Sequence, residues 1–295
     1  MRAAPEHRAT TSMQIHAPAK LNLCLYLGPR RDDGLHELCS LFEPLALVDR
    51  LDLSEAERDE VVCPGVEGEN LAARALAALR ERGWEAPPLR VEIEKRIPVA
   101  AGLGGGSADA AAVLRLARDP AVGAAGWIPD LEAIARELGA DVPSQLIPAM
   151  ALVQGVGERV ERLPEPAPHA VVLLPDGGGL GTAEVFAEAD RLGIGRSAED
   201  LDELAGRLRK VAATGASPLI YPELLVNDLE PAARSLRPQI GDALDALRAA
   251  GAPQTLLTGS GPTAFGLFEN IAAARAAADA LDRDDAIVCE AGRAL

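Results

Sequence analysis

Lysine is scarce in this chain: Lys20, Lys95 and Lys210 are the only three, against a combined Lys and Arg count of 29. A chain that meets solvent with arginine keeps lysine at few positions, and two of the three fall in segments that stand out on other grounds. Lysine offers a compact charge with three rotatable donors, which a flat guanidinium does not reproduce beside a phosphate or a reacting hydroxyl. For any one lysine taken alone, chance survival on the surface is the competing reading. Aromatic residues amount to only 3%. The four cysteines, Cys24, Cys39, Cys63 and Cys289, form no Cys-x-x-Cys pair, and His7, His16, His36 and His169 do not cluster. Neither a zinc site nor a disulfide framework is signalled. No apolar run approaches the ~18 residues of a membrane span, and the charged-then-apolar start of a signal peptide is missing. Positive charge is in deficit as well. A formal net charge of -16 repels nucleic acid and anionic lipid, whose non-specific binding runs on Lys and Arg. Neither partner is expected, and a phosphate ligand has to be met by local positive features.

What is present is the composition of a soluble globular protein, 48% hydrophobic and 25% charged over 295 residues, enough for two domains and a sizeable core. Residues 1–12 read as a disordered leader too short for an organelle transit peptide, because Met13 directly precedes the first convincing strand. The chain then opens with a hairpin pattern, residues 14–17 followed by 20–27 with Leu21, Leu23, Leu25 and Leu27 alternating, and a turn at Arg31-Asp32-Asp33-Gly34. Asn70 is placed to cap a helix over 71–82. A helix over 131–138 closes at Gly139. The Pro-rich stretch 163–169 reads as a domain boundary, dividing an N-terminal part, 13–163, from a C-terminal part, 164–295. Beyond it the pattern is a strand at 170–174, helices between 182 and 250, and two short strands flanking Gly259-Ser260-Gly261-Pro262. A helix over 271–281 and a final strand near Ile287 complete a split βαβ, ferredoxin-like order.

The run 98–114 says most about chemistry. A strand pattern over 89–97 ends before Pro98, and Gly102, Gly104, Gly105 and Gly106 then allow positive φ angles and a close approach of backbone to an anion. Ser107 stands where a helix cap belongs, ahead of an Ala-rich helix from Ala108 onward. The free N–H groups of that helix and roughly half a positive charge of dipole would point into the loop, where phosphate oxygens bind. The loop holds no lysine, which excludes the P-loop pattern, and Ser107 breaks the dinucleotide Gly-x-Gly-x-x-Gly spacing. A flexible glycine turn is the alternative.

These segments together resemble the GHMP kinases. The resemblance narrows within that superfamily to the kinases of CDP-methylerythritol, through Ala17-Pro18-Ala19-Lys20-Leu21-Asn22-Leu23, Arg31-x-Asp33-Gly34-x-His36-Glu37-Leu38, Gly102-Leu103-Gly104-Gly105-Gly106-Ser107, Gly139-Ala140-Asp141-Val142-Pro143, Asn227-Asp228-Leu229-Glu230 and Thr258-Gly259-Ser260-Gly261-Pro262, all in the family's order. It implies an α+β fold, with an N-terminal ribosomal-protein-S5-like ATP-binding domain and a C-terminal ferredoxin-like domain. It implies a cytoplasmic enzyme of the methylerythritol phosphate route to isoprenoids, a monomer or weak homodimer. Its reaction is transfer of the γ-phosphoryl group of ATP, with Mg²⁺, to the 2-hydroxyl of CDP-methylerythritol. Another small-molecule GHMP kinase, for homoserine or a mevalonate-type alcohol, and a non-catalytic nucleotide sensor on the same fold are the alternatives. Lys20 and Asp141 together speak against the sensor.

Carried over residue by residue, the resemblance makes Lys20 and Asp141 the catalytic pair. Asp141 accepts the hydroxyl proton, while Lys20 holds the hydroxyl and offsets transition-state charge. ATP falls to Asn70, Leu71, Lys95 and the loop Pro98, Val99, Ala100, Ala101, Gly102, Leu103, Gly104, Gly105, Gly106, Ser107 and Ala108. Substrate falls to Asn22, His36, Thr182 and Phe186, with the neutral His36 ring offering one donor and one acceptor to the cytosine edge. Ser107 is the residue that helps to hold Mg²⁺. Each role has a structural competitor: a helix N-cap for Asp141, Asn70 and Ser107, core filling for Phe186, a hairpin turn for the 258–262 motif. Leu35 departs from the family, which carries a stacking aromatic residue before the histidine; one lost stack, ~1–3 kcal/mol, implies weaker nucleotide binding rather than a new activity.

Overall fold

The computed structural model describes residues 13–122 and 130–291; the leader expected over 1–12 lies outside the described residues. Two long antiparallel strands open it, β1 (Met13–Arg30) and β2 (His36–Glu55), joined through the turn expected at 31–34. The break expected between residues 17 and 20 is instead a bulge inside β1, where the register shifts between Pro18 and Lys20. Proline has no N–H for the ladder, so the strand absorbs it as an irregularity rather than ending. The sequence reading missed β2, whose buried Glu43 and Asp49 interrupt any apolar alternation.

Then come β3 (Glu60–Val62), α1 (Leu71–Glu81), β4 (Leu89–Glu94), α2 (Gly105–Arg115), α3 (Leu131–Leu138), the single turn α4 (Val142–Gln145), β5 (Ala151–Gly155) and β6 (Arg159–Arg162). Asn70 caps α1 as expected, its Oδ1 accepting the N–H groups of Ala72 and Ala73 at 2.8 and 3.4 Å. Ser107 does not cap α2: the cap is Gly104, in the left-handed region at φ 71°, and Ser107 lies in the first turn. Glycine holds that φ without a Cβ penalty, so the helix starts earlier than a Ser cap implies.

The second half contains β7 (His169–Leu174), α5 (Thr182–Leu192), α6 (Ala198–Ala212), α7 (Glu230–Leu236), α8 (Gln239–Ala249), β8 (Gln254–Leu257), β9 (Ala264–Phe268), α9 (Ile271–Leu281) and β10 (Ile287–Ala291). Its strands run β10-β7-β9-β8, every pair antiparallel, which is the ferredoxin-like order expected. Among the described residues a single bridge, Ala291 to Leu45, connects β10 to β2, so one sheet passes through both halves.

Three main apolar clusters hold this α+β fold. One lies between α1, α2 and α3 and the β1-β2-β4 sheet, with Leu51, Leu76, Ile93 and Val113. A second lies between β7, β9 and the helices α5, α7, α8 and α9, with Val172, Leu244 and Phe268. The third is shared: Leu21, Leu23 and Leu41 of the first half pack with Leu173, Leu208, Phe265 and Leu267 of the second. Residues 17 to 27 of β1 are therefore buried on both faces, and the alternating leucines divide between cores. Its even-numbered Lys20 and Asn22 are the polar exceptions. Among the described residues no helix is long and apolar enough to cross a membrane.

Candidate active site

The glycine loop stands between β4 and α2 and lines a cleft of about 580 Å³, with Asn70, Leu71, Lys95, Pro98 to Ser107 and Asp109 on its walls. At the head of α2 the N–H groups of Gly105, Gly106 and Ser107 have no intrahelical partner, so the cleft meets unsatisfied donors and the positive end of the helix. Two glycines are required by contact. A Cβ on Gly102 would stand 2.9 Å from the carbonyl oxygens of Thr258 and Gly261, and one on Gly104 would stand 3.0 Å from Cγ of Lys20. The glycine loop is thus pressed against the 258–262 turn on one side and the Lys20 side chain on the other.

Lys20 leaves the bulge of β1 and is 5% exposed. Its Nζ donates to Asn22 Oδ1 at 2.6 Å and to the Gly102 carbonyl at 3.1 Å, and lies 3.4 Å from Asp141 Oδ2. The Phe42 ring is 4.9 Å from the same nitrogen. Asp141 occupies the N-cap position of α4, but its carboxylate accepts no capping hydrogen bond and turns to Lys20 instead. The cap reading therefore fails for its side chain. Asn22 is buried by commitment: Nδ2 donates to Ser40 Oγ at 2.9 Å, while its backbone N–H donates to Thr258 Oγ1 at 3.0 Å. Its amide holds Lys20 in place. Asn227 supports the same turn, its Nδ2 donating to the carbonyls of Leu257 and Gly259 at 2.7 and 2.8 Å.

Lys20, Asn22 and Asp141 also line a second hollow of about 680 Å³, which shares Gly102, Gly104 and Thr182 with the first and runs to Leu35, His36, Phe186 and Asp190. Thr182 Oγ1 lies 3.0 Å from Ser260 Oγ, tying the start of α5 to the glycine-rich turn. His36 and Phe186 meet with ring centroids 5.6 Å apart and planes at 49°. The donor and acceptor expected of the His36 ring are not open to a ligand. Nδ1 lies 3.2 Å from the Gly28 carbonyl, and the buried Nε2 lies 3.0 Å from Asp190 Oδ1, skewed from hydrogen-bond geometry. The ring is held through Nδ1, with Nε2 buried beside Asp190 and one face beside Phe186.

Family models match segments of both halves of the chain. The model of the GHMP kinases N terminal domain matches residues 70–147, and that of the GHMP kinases C terminal domain matches residues 198–286. The 4-diphosphocytidyl-2-C-methyl-D-erythritol kinase of Thermobifida fusca (strain YX) is 40% identical over 295 residues, covering 92% of this chain and 92% of its own. The chain belongs to the GHMP kinases. The enzyme of the same name from Anaeromyxobacter sp. (strain Fw109-5) is 41% identical over 281 residues, 90% of this chain and 85% of its own. A crystal structure of 4-(cytidine 5'-diphospho)-2C-methyl-D-erythritol kinase superposes with TM-score 0.78 at 37% identity, covering 96% of this chain and 100% of that one. The homoserine kinase from Cytophaga hutchinsonii, 18% identical with TM-score 0.66 over 99% of this chain and 97% of that one, shares the GHMP fold.

In this GHMP kinase, sequence reasoning missed a buried charge cluster beside the glycine loop. Lys95 Nζ binds Asp49 and, at 2.8 Å, Asp109 Oδ2. Asp49 Oδ1 also accepts the N–H groups of Arg96 and Ile97 at 2.6 and 2.8 Å, fixing the strand where it enters the loop. Burial pushes the Asp109 carboxyl up to about 7, against the pull of Lys95. Burial also works against the Lys95 ammonium, but Asp109 and Asp49 outweigh it and hold it above its ordinary value. The Lys95 charge is thus matched inside the protein. One signal was legible, Asp109 being the lone charge in a run of Gly, Ser and Ala; its partner on β2 was not. Asp190 was missed too, although it follows Phe186 at the (i, i+4) spacing that places both on one helix face.

Proposed function

We propose that this chain transfers the γ-phosphoryl group of ATP to the 2-hydroxyl of 4-diphosphocytidyl-2-C-methyl-D-erythritol, as a cytoplasmic enzyme of the methylerythritol phosphate route. The observation that carries the reading is the Lys20–Asp141 pair, poised where the glycine-loop cleft meets the hollow ending at Phe186. In the transfer, the substrate oxygen forms a bond to the γ-phosphorus as the bond from that phosphorus to the bridging oxygen of ADP breaks. The hydroxyl proton passes to an Asp141 oxygen. Lys20 has three N–H groups and three protein partners, of which Asp141 at 3.4 Å is the loosest, so that donor is the one to turn onto the attacking oxygen and the charge developing there.

ATP occupies the glycine-loop cleft, its phosphates against residues 98–108 with the free N–H groups of Gly105, Gly106 and Ser107 as donors, and its adenine toward Asn70, Leu71 and Lys95. The cytidine occupies the hollow, against the His36 face, Phe186 and Thr182. Ser107, which lines the cleft and carries a hydroxyl oxygen, suits Mg²⁺, a hard cation that takes few protein oxygens and fills its shell with phosphate and water. Bound there, Mg²⁺ would neutralise phosphate charge. The division of labour between residues 13–163 and 164–295, and a monomer or weak homodimer, complete the reading.

The test incubates the protein with Mg-ATP and, separately, CDP-methylerythritol, homoserine or mevalonate, following ADP release. Turnover with the first alone is expected; none with it sinks the reading. In Asp141→Asn, kcat falls by roughly 10²–10⁴-fold while ATP binding, measured by calorimetry, stays nearly unchanged. Surviving turnover would remove Asp141 from proton transfer.

A further inference from the structure

Three elements converge on the Lys20–Asp141 pair: β1 carries Lys20, Asp141 heads α4, and α2 begins in the glycine loop. Their near ends meet at the site, where the Lys20 N–H donates to the Leu103 carbonyl at 3.0 Å and Asp141 lies 3.4 Å from Lys20 Nζ. Their far ends meet at one side chain. Arg115, the last residue of α2, donates from Nη1 to the carbonyl of Gln145 at the end of α4, and from Nη2 to the His16 carbonyl of β1, each at 2.8 Å. His16 stands four residues before Lys20, and Gln145 four residues after Asp141. The turn α4 depends on such donors, because one turn of helix is marginal by itself and its last carbonyls have no intrahelical partner. Arg162 of β6 supplies two more, to Ser144 and Pro143 at 2.8 and 3.3 Å, but it reaches α4 alone. Arg115 is the guanidinium that joins α4 to the strand of Lys20.

We propose that Arg115 is a positioning residue for the phosphoryl transfer, its guanidinium fixing the separation of Lys20 and Asp141 by tying β1 to α4 behind the site. This goes beyond the function proposed above and rests on it. The choice of partners argues for the role. The chain offers 45 acidic side chains, yet among the described residues both hydrogen bonds of Arg115 go to main-chain carbonyls of separate elements. Burial works against its charge and pushes the guanidinium down to about 10; an arginine kept only for solubility would stay in water. Lysine is no substitute, since a planar fork sets two donors at a fixed spacing and an ammonium does not. Arg115 lines neither the cleft nor the hollow, so its influence falls on the geometry of the reacting groups rather than on ligand contacts.

A double-mutant cycle tests this, with Arg115→Lys and Arg115→Met made in the wild-type chain and in Asp141→Asn, ADP release measured with Mg-ATP and CDP-methylerythritol, and melting followed in parallel. In the wild-type background both substitutions should lower kcat roughly ten- to a hundredfold while KM for either substrate moves less than about threefold. In Asp141→Asn the same substitutions should lower kcat by no more than about threefold, because the group they position no longer takes the proton. If Arg115→Met does not fold, Arg115→Lys, which keeps the charge and most of the stem, carries the comparison. A purely structural Arg115 would lower the melting temperature and leave kcat of the folded enzyme unchanged, or lower kcat by the same factor in both backgrounds. Either result, beside normal wild-type turnover, overturns the Arg115 proposal alone. A wild type that turns over none of CDP-methylerythritol, homoserine and mevalonate overturns the proposed function and this inference with it.

Discussion

Gly104 shows how much a single missing side chain decides. Its φ of 71° starts α2, and its bare Cα lets Lys20 pass with 3.0 Å between Lys20 Cγ and the place where a Cβ would stand. Gly104→Ala therefore combines a left-handed strain of roughly 1–2 kcal/mol with displacement of Lys20, the lysine proposed to act in the transfer. We expect kcat to fall about ten- to a hundredfold with only a small drop in melting temperature; an unchanged kcat in steady-state assays would show that Lys20 does not need that space. At this scale the sequence was legible wherever a residue's meaning is local. Asn70 caps its own helix, and Asp141 was singled out by its Gly-Ala-Asp-Val-Pro setting and does meet Lys20. His36 was found, but the burial of its nitrogens against Gly28 and Asp190 was not. Gly28 lies across the hairpin and Asp190 on a distant helix, and neither proximity is written near residue 36.

Between elements, the Asp49–Lys95–Asp109 cluster joins β2, the end of β4 and α2. Asp109 is raised from 3.8 to about 7, first by burial. An acid whose folded value is raised binds its proton more tightly in the fold. Its contribution to stability is present below 3.8 and is lost as pH rises through about 7. Urea unfolding of the wild type between pH 4 and 8 should show stability falling with pH over that window, and Asp109→Asn should flatten the slope. Equal slopes would assign the loss to other groups. Helices α1 and α3 were readable because helical period and caps lie within a dozen residues. Strand β2 was not, because Glu43 and Asp49 look like solvent residues until their partners are placed beside them.

Over the whole molecule, one buried pair spans the two halves: His169 at the start of β7 lies 3.1 Å from Glu43 of β2, both side chains fully buried. Burial lowers the His169 value, but Glu43 and the Ala167 carbonyl outweigh it and leave it above the ordinary 6.5. Protonated His169 thus supports the joint. That support is complete below 6.5 and is lost as pH rises through the raised folded value. Thermal unfolding followed upward from pH 6 should show the wild type losing stability that His169→Gln never had, so the two curves converge; curves that stay parallel would deny the pair this role. Helices α1 and α3, the acidic charge, the glycine loop and the Lys20, Asp141, Phe186 roster belong to the sequence, because each is encoded by neighbouring residues through caps, periodicity and glycine. Tertiary structure alone decided that Asn22 and Gly102 hold Lys20, that Asp49 and Asp109 enclose Lys95, and that Asp190 faces His36. Those contacts join side chains far apart along the chain, and only the packing of the continuous sheet and its helices around a shared core brings them together.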